Sequence, residues 1–297
     1  MAANHRCRVG LVALALAGLP SAGVGADDAA PAALKPVSAW IVDYADDSCA
    51  LRRTFGSAEQ PVWLELRQFS PGDEFLVTVA SSTFKSRKRV PKAQFLPDGP
   101  IRQDKLTAYG IYGKGVEGVA FPDTLRPAPG RGTPQSLENW QAGEQEARER
   151  SITGLSLEDA FDTDFVLQTG ELYRPMNAMR ACLDDLLASW GVDPAINRTL
   201  SRKAQPLDQS RWARPIQSRF PTGLFRIGGS STVGFRLLID EAGKVTGCRV
   251  QRPVVDESYE KEICGIFEKQ AKFSPALDAS GNPVKTVYLM GVVYSVG

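Results

Sequence analysis

The sequence predicts an α+β protein in two folded parts. A β-rich N-terminal part closes with one long helix, and a C-terminal part runs strand, strand, helix, strand around a three-stranded antiparallel sheet. Three observations carry this. Pro61–Phe69 and Glu74–Ala80 alternate apolar and polar residues at period two about the turn Ser70-Pro-Gly-Asp73. Pro175–Trp190 repeats apolar residues at three and four. The tail from about residue 211 switches from period two to helical period and back. The expected division is a 1–26 signal segment, a β-rich part at 38–192, a linker at 193–210 and a C-terminal unit at 211–297.

The chain has 297 residues, enough for two parts of ordinary size. Its 43% hydrophobic and 23% charged content is that of a folded protein. The net charge of +1, with both signs spread along the chain, argues against a nucleic-acid binder, which usually shows a basic excess or stripe. Residues 1–26 read as a secretion signal: Arg6 and Arg8, an apolar run from Val9 to Leu19, then Pro20 and small residues to a cleavage site after Ala26. If the segment is retained instead, Val9–Ala26 is about long enough to anchor in a thin bilayer. The single histidine, His5, lies inside this segment. The exported chain would therefore lack Ser-His-Asp or Cys-His catalysis and histidine-ligated metals, so no catalytic residue, cofactor or metal site is expected.

Beyond the signal the cysteines are Cys49, Cys182, Cys248 and Cys264, an even set that in an exported chain reads as disulfides. Three pairings exist on paper. Cys248 is on a predicted strand, on the face of Thr246 and Val250. Cys264 is on a predicted helix, in line with Phe267 and Ala271. Both point into one strand–helix interface, which pairs Cys248 with Cys264 and leaves Cys49 with Cys182. A four-cysteine zinc site lacks the usual close spacing.

In chain order, Trp40–Tyr44 and Cys49–Phe55 are strands about the turn at Asp46-Asp-Ser48, before the two stronger strands already named. Lys85, Arg87, Lys88, Arg89 and Lys92 form a basic run, read as a solvated edge strand or as a site for anionic lipid or surface polymer. Gly113–Gly118 spells G-x-G-x-x-G, but no helix opens there, so a Gly-rich hairpin is expected and not a phosphate cradle. Residues 124–135 read as an exposed loop and Ser136–Arg150 as a polar helix. Ile152–Leu157 and Phe165–Thr169 read as strands, with an acidic turn of Glu158, Asp159, Asp162 and Asp164 between them. On the Pro175–Trp190 helix, Met176, Met179, Cys182, Leu183, Leu186, Leu187 and Trp190 form the core stripe, with Gly191 as its stop. Asp193–Ser210 is polar, with Pro194 and Pro206; stretched out it would reach about 60 Å.

In the tail, Val233, Phe235, Leu237 and Ile239 share one face of a strand over Thr232–Ile239. Asp240-Glu-Ala-Gly243 turns the chain into Lys244–Val250. A helix follows, capped by Asp256 or Ser258 and running to about Lys272, with Tyr259, Ile263, Ile266, Phe267 and Ala271 inward. Val284–Val296 is the last strand. Here the chain resembles the TonB C-terminal domain family. The resemblance rests on Phe220-Pro221 (Tyr-Pro in the family), the 232–250 hairpin, Lys272-Phe-Ser-Pro-Ala276 ending the helix, and the final Pro-Val strand at 283–296.

The resemblance implies a periplasmic, non-enzymatic module that takes a TonB-box-like peptide of an outer-membrane receptor, or another envelope protein, beside its last strand. The main chain would supply affinity and side-chain pockets selectivity. Carried over to this sequence, the binding residues are Val287, Tyr288, Leu289, Met290, Gly291, Val292, Val293 and Tyr294, with Arg219, Phe220 and Pro221 near the mouth. A folded part stands where the family's energy transducers carry a long rod. A membrane-anchored transducer is expected only if the N-terminal segment is kept. A cell-envelope scaffold is the other alternative, and an enzyme built on the carboxylates near Asp162 is the third.

Overall fold

A computed structural model describes residues 31–103, 107–111, 113, 115–126, 143–219, 231–251 and 257–294, without the side chains of Ser231, Thr232 and Val293. The signal segment, Phe220, Pro221 and Asp256 lie outside the described residues. In chain order the elements are β1 Ala32–Leu34, β2 Ile41–Ala45, β3 Ser48–Gly56, β4 Pro61–Gln68, β5 Glu74–Ser81, β6 Lys92–Leu96, β7 Ala108–Ile111, β8 Glu117–Thr124, α1 Glu144–Ser151, β9 Gly154–Glu158, β10 Phe165–Leu167, α2 Tyr173–Ser189 and α3 Pro194–Arg198. There follow β11 Gln205–Leu207, α4 Gln209–Gln217, β12 Ser231–Ile239, β13 Val245–Val250, α5 Glu257–Gln270, β14 Lys272–Ser274, β15 Ala276–Leu277, β16 Pro283–Val284 and β17 Thr286–Tyr294. The fold is α+β.

The first part has two sheets. One is antiparallel in the order β2-β3-β4-β5-β8-β7, and the other runs β1-β10-β9-β6. The alternation in β4 and β5 puts Val62, Leu64, Leu66, Phe75, Val77 and Val79 inward. There they share one apolar cluster with Phe95, Leu155 and Phe165 of the second sheet and with the Met176, Met179 and Leu183 stripe of α2. The Cys49–Cys182 disulfide ties α2 to β3, with Cα atoms 6.1 Å apart. The G-x-G-x-x-G letters lie at the β7–β8 hairpin, where Gly113 and Gly115 both have positive φ. β8 continues through Pro122, which pairs with Leu76 beyond the end of β7, where proline's missing N–H interrupts no second ladder.

Two charged features of the sequence meet each other. The basic run lies against the acidic turn: Arg87 pairs with Asp159 at 3.6 Å, and Lys92 with Glu158 and Asp159 at 3.6 and 3.5 Å. Asp162 accepts from the Lys85 backbone N–H at 3.2 Å. Of the predicted polar helix, the described stretch is α1. Two of its charged residues, Arg148 and Glu149, are buried, and Glu149 takes the Arg180 guanidinium at 2.7 and 2.9 Å.

The expected linker is folded, a correction to the sequence reading. Asp193 caps α3 by accepting from Ala195 and Ile196 N–H. β11 pairs antiparallel with β14, and Ser201 and Arg202 bond to Leu277. Low apolar periodicity hid this, because the segment is held by main-chain pairing to residues some seventy positions downstream, which no local pattern announces. α4 then buries Trp212 and Ile216 against α5, with the Trp212 and Phe267 rings 5.3 Å apart.

The C-terminal sheet has the order β13-β12-β17, antiparallel throughout. Val233, Phe235, Leu237 and Ile239 face α5 in a second apolar cluster. The hairpin depends on its turn chemistry. Asp240 Oδ1 accepts from the Ala242 and Lys244 N–H groups at 3.0 and 2.8 Å. Gly243 has φ 75°, and a Cβ there would meet the Phe273 carbonyl at 1.9 Å. A bulge between Leu238 and Ile239 turns Val245 inward, so Thr246, expected on the face of Cys248, is exposed. Cys248 and Cys264 are bonded across the sheet–helix interface. The C-terminal sheet is bonded to the end of α2 and to α3: Lys285 Nζ donates to Trp190 O at 2.8 Å, and Thr286 Oγ1 to Asn197 Oδ1 at 2.9 Å. Contacts group Pro31–Gly297 as one unit.

Candidate functional site

β17 pairs with β12 over nine residues, and among the described residues no strand lies on its other side. The register decides which of its groups reach that open side. Gln251 N–H donates to Gly234 O at 2.8 Å, so Gly234 directs its main-chain groups toward β13. In an antiparallel ladder these directions alternate residue by residue. Gly234, Arg236 and Leu238 therefore point away from β17. Their partners Gly291, Leu289 and Val287 direct their own N–H and C=O to the open side. Tyr288, Met290 and Val292 bond back to β12.

The same register sorts the side chains. Tyr288 and Met290 pack on the second apolar cluster, and Val292 and Tyr294 are buried in it. Leu289 is 37% exposed and Gly291 is exposed. Of the residues expected to meet a partner, Val287, Leu289 and Gly291 thus offer main chain, while Tyr288, Met290, Val292 and Tyr294 hold the strand on the sheet. Tyr294 closes the far end. Its hydroxyl donates to Ile216 O at 3.1 Å, and the Tyr259 hydroxyl lies 2.6 Å from it. Burial, then the bond to Tyr294, pushes the Tyr259 phenol well above its ordinary pKa; burial raises Tyr294 as well. Arg219, one turn beyond Pro215 and Ile216, donates to Pro215 O at 2.7 Å and pairs with Glu262 of α5. The mouth predicted around Arg219 is therefore next to the Tyr294 end of β17.

Sequence reasoning missed Arg236 and Gln251, and placed Trp190 only in the apolar stripe of its helix, where it does pack on the first cluster. Arg236 is 9% exposed, and its guanidinium lies 3.6 Å from the Trp190 ring centre. Burial lowers its pKa, and Arg249 adds to this while Asp47 opposes it. Among the described residues neither Arg236 Nη1 nor Gln251 Nε2 has a hydrogen-bond partner. The signal was a lone arginine in the middle of an otherwise apolar strand. Among the described residues no group of His, Cys, Asp and Glu side chains could hold a metal ion, and no helix is long and apolar enough to cross a membrane. Compared with protein-family models, with curated proteins and with solved structures, the chain matches none of them.

Proposed function

We propose that this chain is a non-enzymatic periplasmic protein whose C-terminal unit grips an extended peptide of an outer-membrane transport protein by strand addition along β17. One observation carries the reading: β17 is a nine-residue edge strand whose Val287, Leu289 and Gly291 main-chain groups face the open side among the described residues. Unpaired edges of this length invite another strand, and proteins that leave one bare commonly use it. The inward anchors Tyr288, Val292 and Tyr294 pack the strand onto the second apolar cluster, and an edge held in place beforehand lowers the ordering cost of docking.

The test is a photo-crosslinker at Leu289 in living cells, followed by identification of what it captures. Capture of an outer-membrane transport protein through its N-terminal extended segment is the expected result. Leu289→Pro removes an edge donor at a position where proline is tolerated, and it should weaken binding of that segment roughly ten-fold or more. Unchanged binding by this variant would overturn the reading.

A further inference from the structure

The six-stranded sheet of the first part turns Val62, Leu64, Leu66, Val77 and Val79 into the first apolar cluster. The register puts two rows of side chains on the opposite face. Ile41, Arg52, Glu65 and Thr78 lie across from one another in the first row, and Thr54, Trp63 and Ala80 in the second. These rows line a groove of about 380 Å³, with Ser38 beside Thr54 and Val116 of the Gly-rich β7–β8 hairpin completing its walls. That volume lies within the range of small-ligand sites, about 300–1,000 Å³. Trp63 is 37% exposed and Ile41 60%. In its own row Trp63 has only Thr54 and Ala80 beside it, so no bulky side chain screens the indole there.

We infer that this groove binds a neutral sugar, one ring of which stacks on the Trp63 indole. The site belongs to the first part and owes nothing to the docking proposed for β17. The charges beside the indole decide the ligand's chemistry. Arg52 donates to Glu65 at 2.7 Å and lies 2.9 Å from Asp43, and Arg67 donates to Glu65 at 2.8 and 3.0 Å. Two cations and two carboxylates cancel, so neither an anion nor a cation gains net attraction. Burial works to raise the Glu65 pKa, but the bonds from Arg67 and Arg52 outweigh it and hold the carboxyl below its ordinary value. A wholly apolar ligand would strip water from these ions and return no hydrogen bond. A sugar meets both demands. Its C–H face lies on the negative face of the indole, and its hydroxyls, each donor and acceptor, serve carboxylate and guanidinium alike. Thr54 and Thr78 add two hydroxyls to the walls.

The probes are maltose, cellobiose, lactose and N,N′-diacetylchitobiose, titrated into the full chain by calorimetry and by saturation-transfer NMR. A digalacturonate, a glucosamine disaccharide and n-octanol serve as anionic, cationic and apolar comparators. A neutral disaccharide should bind in the millimolar range, with saturation strongest on the C–H protons of one ring face. Trp63→Ala should weaken it roughly ten-fold and Trp63→Phe only roughly three-fold, because a phenyl ring still stacks. Glu65→Gln should weaken it as well and leave the saturated face unchanged. No binding of any neutral disaccharide at tens of millimolar would overturn the inference, as would an affinity that Trp63→Ala leaves unchanged. Tighter binding of the anionic or cationic disaccharide would overturn the neutral assignment, and tighter binding of n-octanol would assign the groove to an alkyl chain instead.

Discussion

The guanidinium of Arg236 lies 3.6 Å from the centre of the Trp190 ring, so a cation on the central strand of one sheet is covered by the end of a helix that packs on another. Trp190→Ala should destabilise by about 2 kcal/mol, because it strips the ring that covers a desolvated charge. Arg236→Met should fall within about 1 kcal/mol of wild type in either direction, since it removes the orphaned donor together with the charge. Urea denaturation midpoints of the two variants check both; a large loss with methionine would mean that Arg236 is already satisfied.

The tyrosine pair predicts an alkaline limit. Burial raises the folded-state pKa of Tyr259 and of Tyr294 above that of the unfolded chain, near about 10. The unfolded state then loses these protons first. Stability is full below about pH 10 and falls as pH rises through and beyond that value. Tyr294→Phe should cost about 1 kcal/mol at neutral pH through the lost bond to Ile216 O, and should flatten the alkaline fall. Denaturant titrations at a series of pH values above and below the tyrosine range measure both effects.

The disulfides give a covalent check. Mass mapping without reduction should recover Cys49 with Cys182 and Cys248 with Cys264. Replacing Cys248 and Cys264 together by alanine should cost about 3 kcal/mol by the loop-entropy account for a separation of 16 residues. The same change at Cys49 and Cys182 frees a 133-residue loop, with a nominal cost of about 5 kcal/mol.

The charged surface predicts a small effect. Arg87 and Lys92 pair with Asp159 and Glu158 at distances of 3.5 to 3.6 Å, all partly solvated. Arg87→Ala and Lys92→Ala should each cost under about 1 kcal/mol, and added salt should shrink the difference. Thermal melts at low and high ionic strength read this directly.

These contacts also mark where sequence reading stops. The strand–helix faces of the tail were legible, because Phe235, Leu237, Ile263 and Phe267 obey the periods of their elements, and the Cys248–Cys264 pairing followed from those faces. Thr246 was misplaced because a bulge changes the period in mid-strand, and nothing local marks it. The basic run and the acidic turn looked like two sites, since seventy residues separate groups that neutralise one another. The folded stretch after α2 was missed for the same reason: its partner strand is β14. At the candidate site the edge itself was legible from element order. The meeting of Arg236, Gln251 and Trp190 was not, because an orphaned donor exists only once three separate segments have met.

The stretch after α2 also bears on how far β17 could search for a partner under the proposed docking. As slack chain, residues 193–210 would have let it roam over tens of ångströms, like a hook on a line. With α3 capped by Asp193 and β11 laced to β14, that line is wound in. On the proposed docking, a partner would have to bring its own loose end to a fixed berth, and the burden of reach would move to the other molecule.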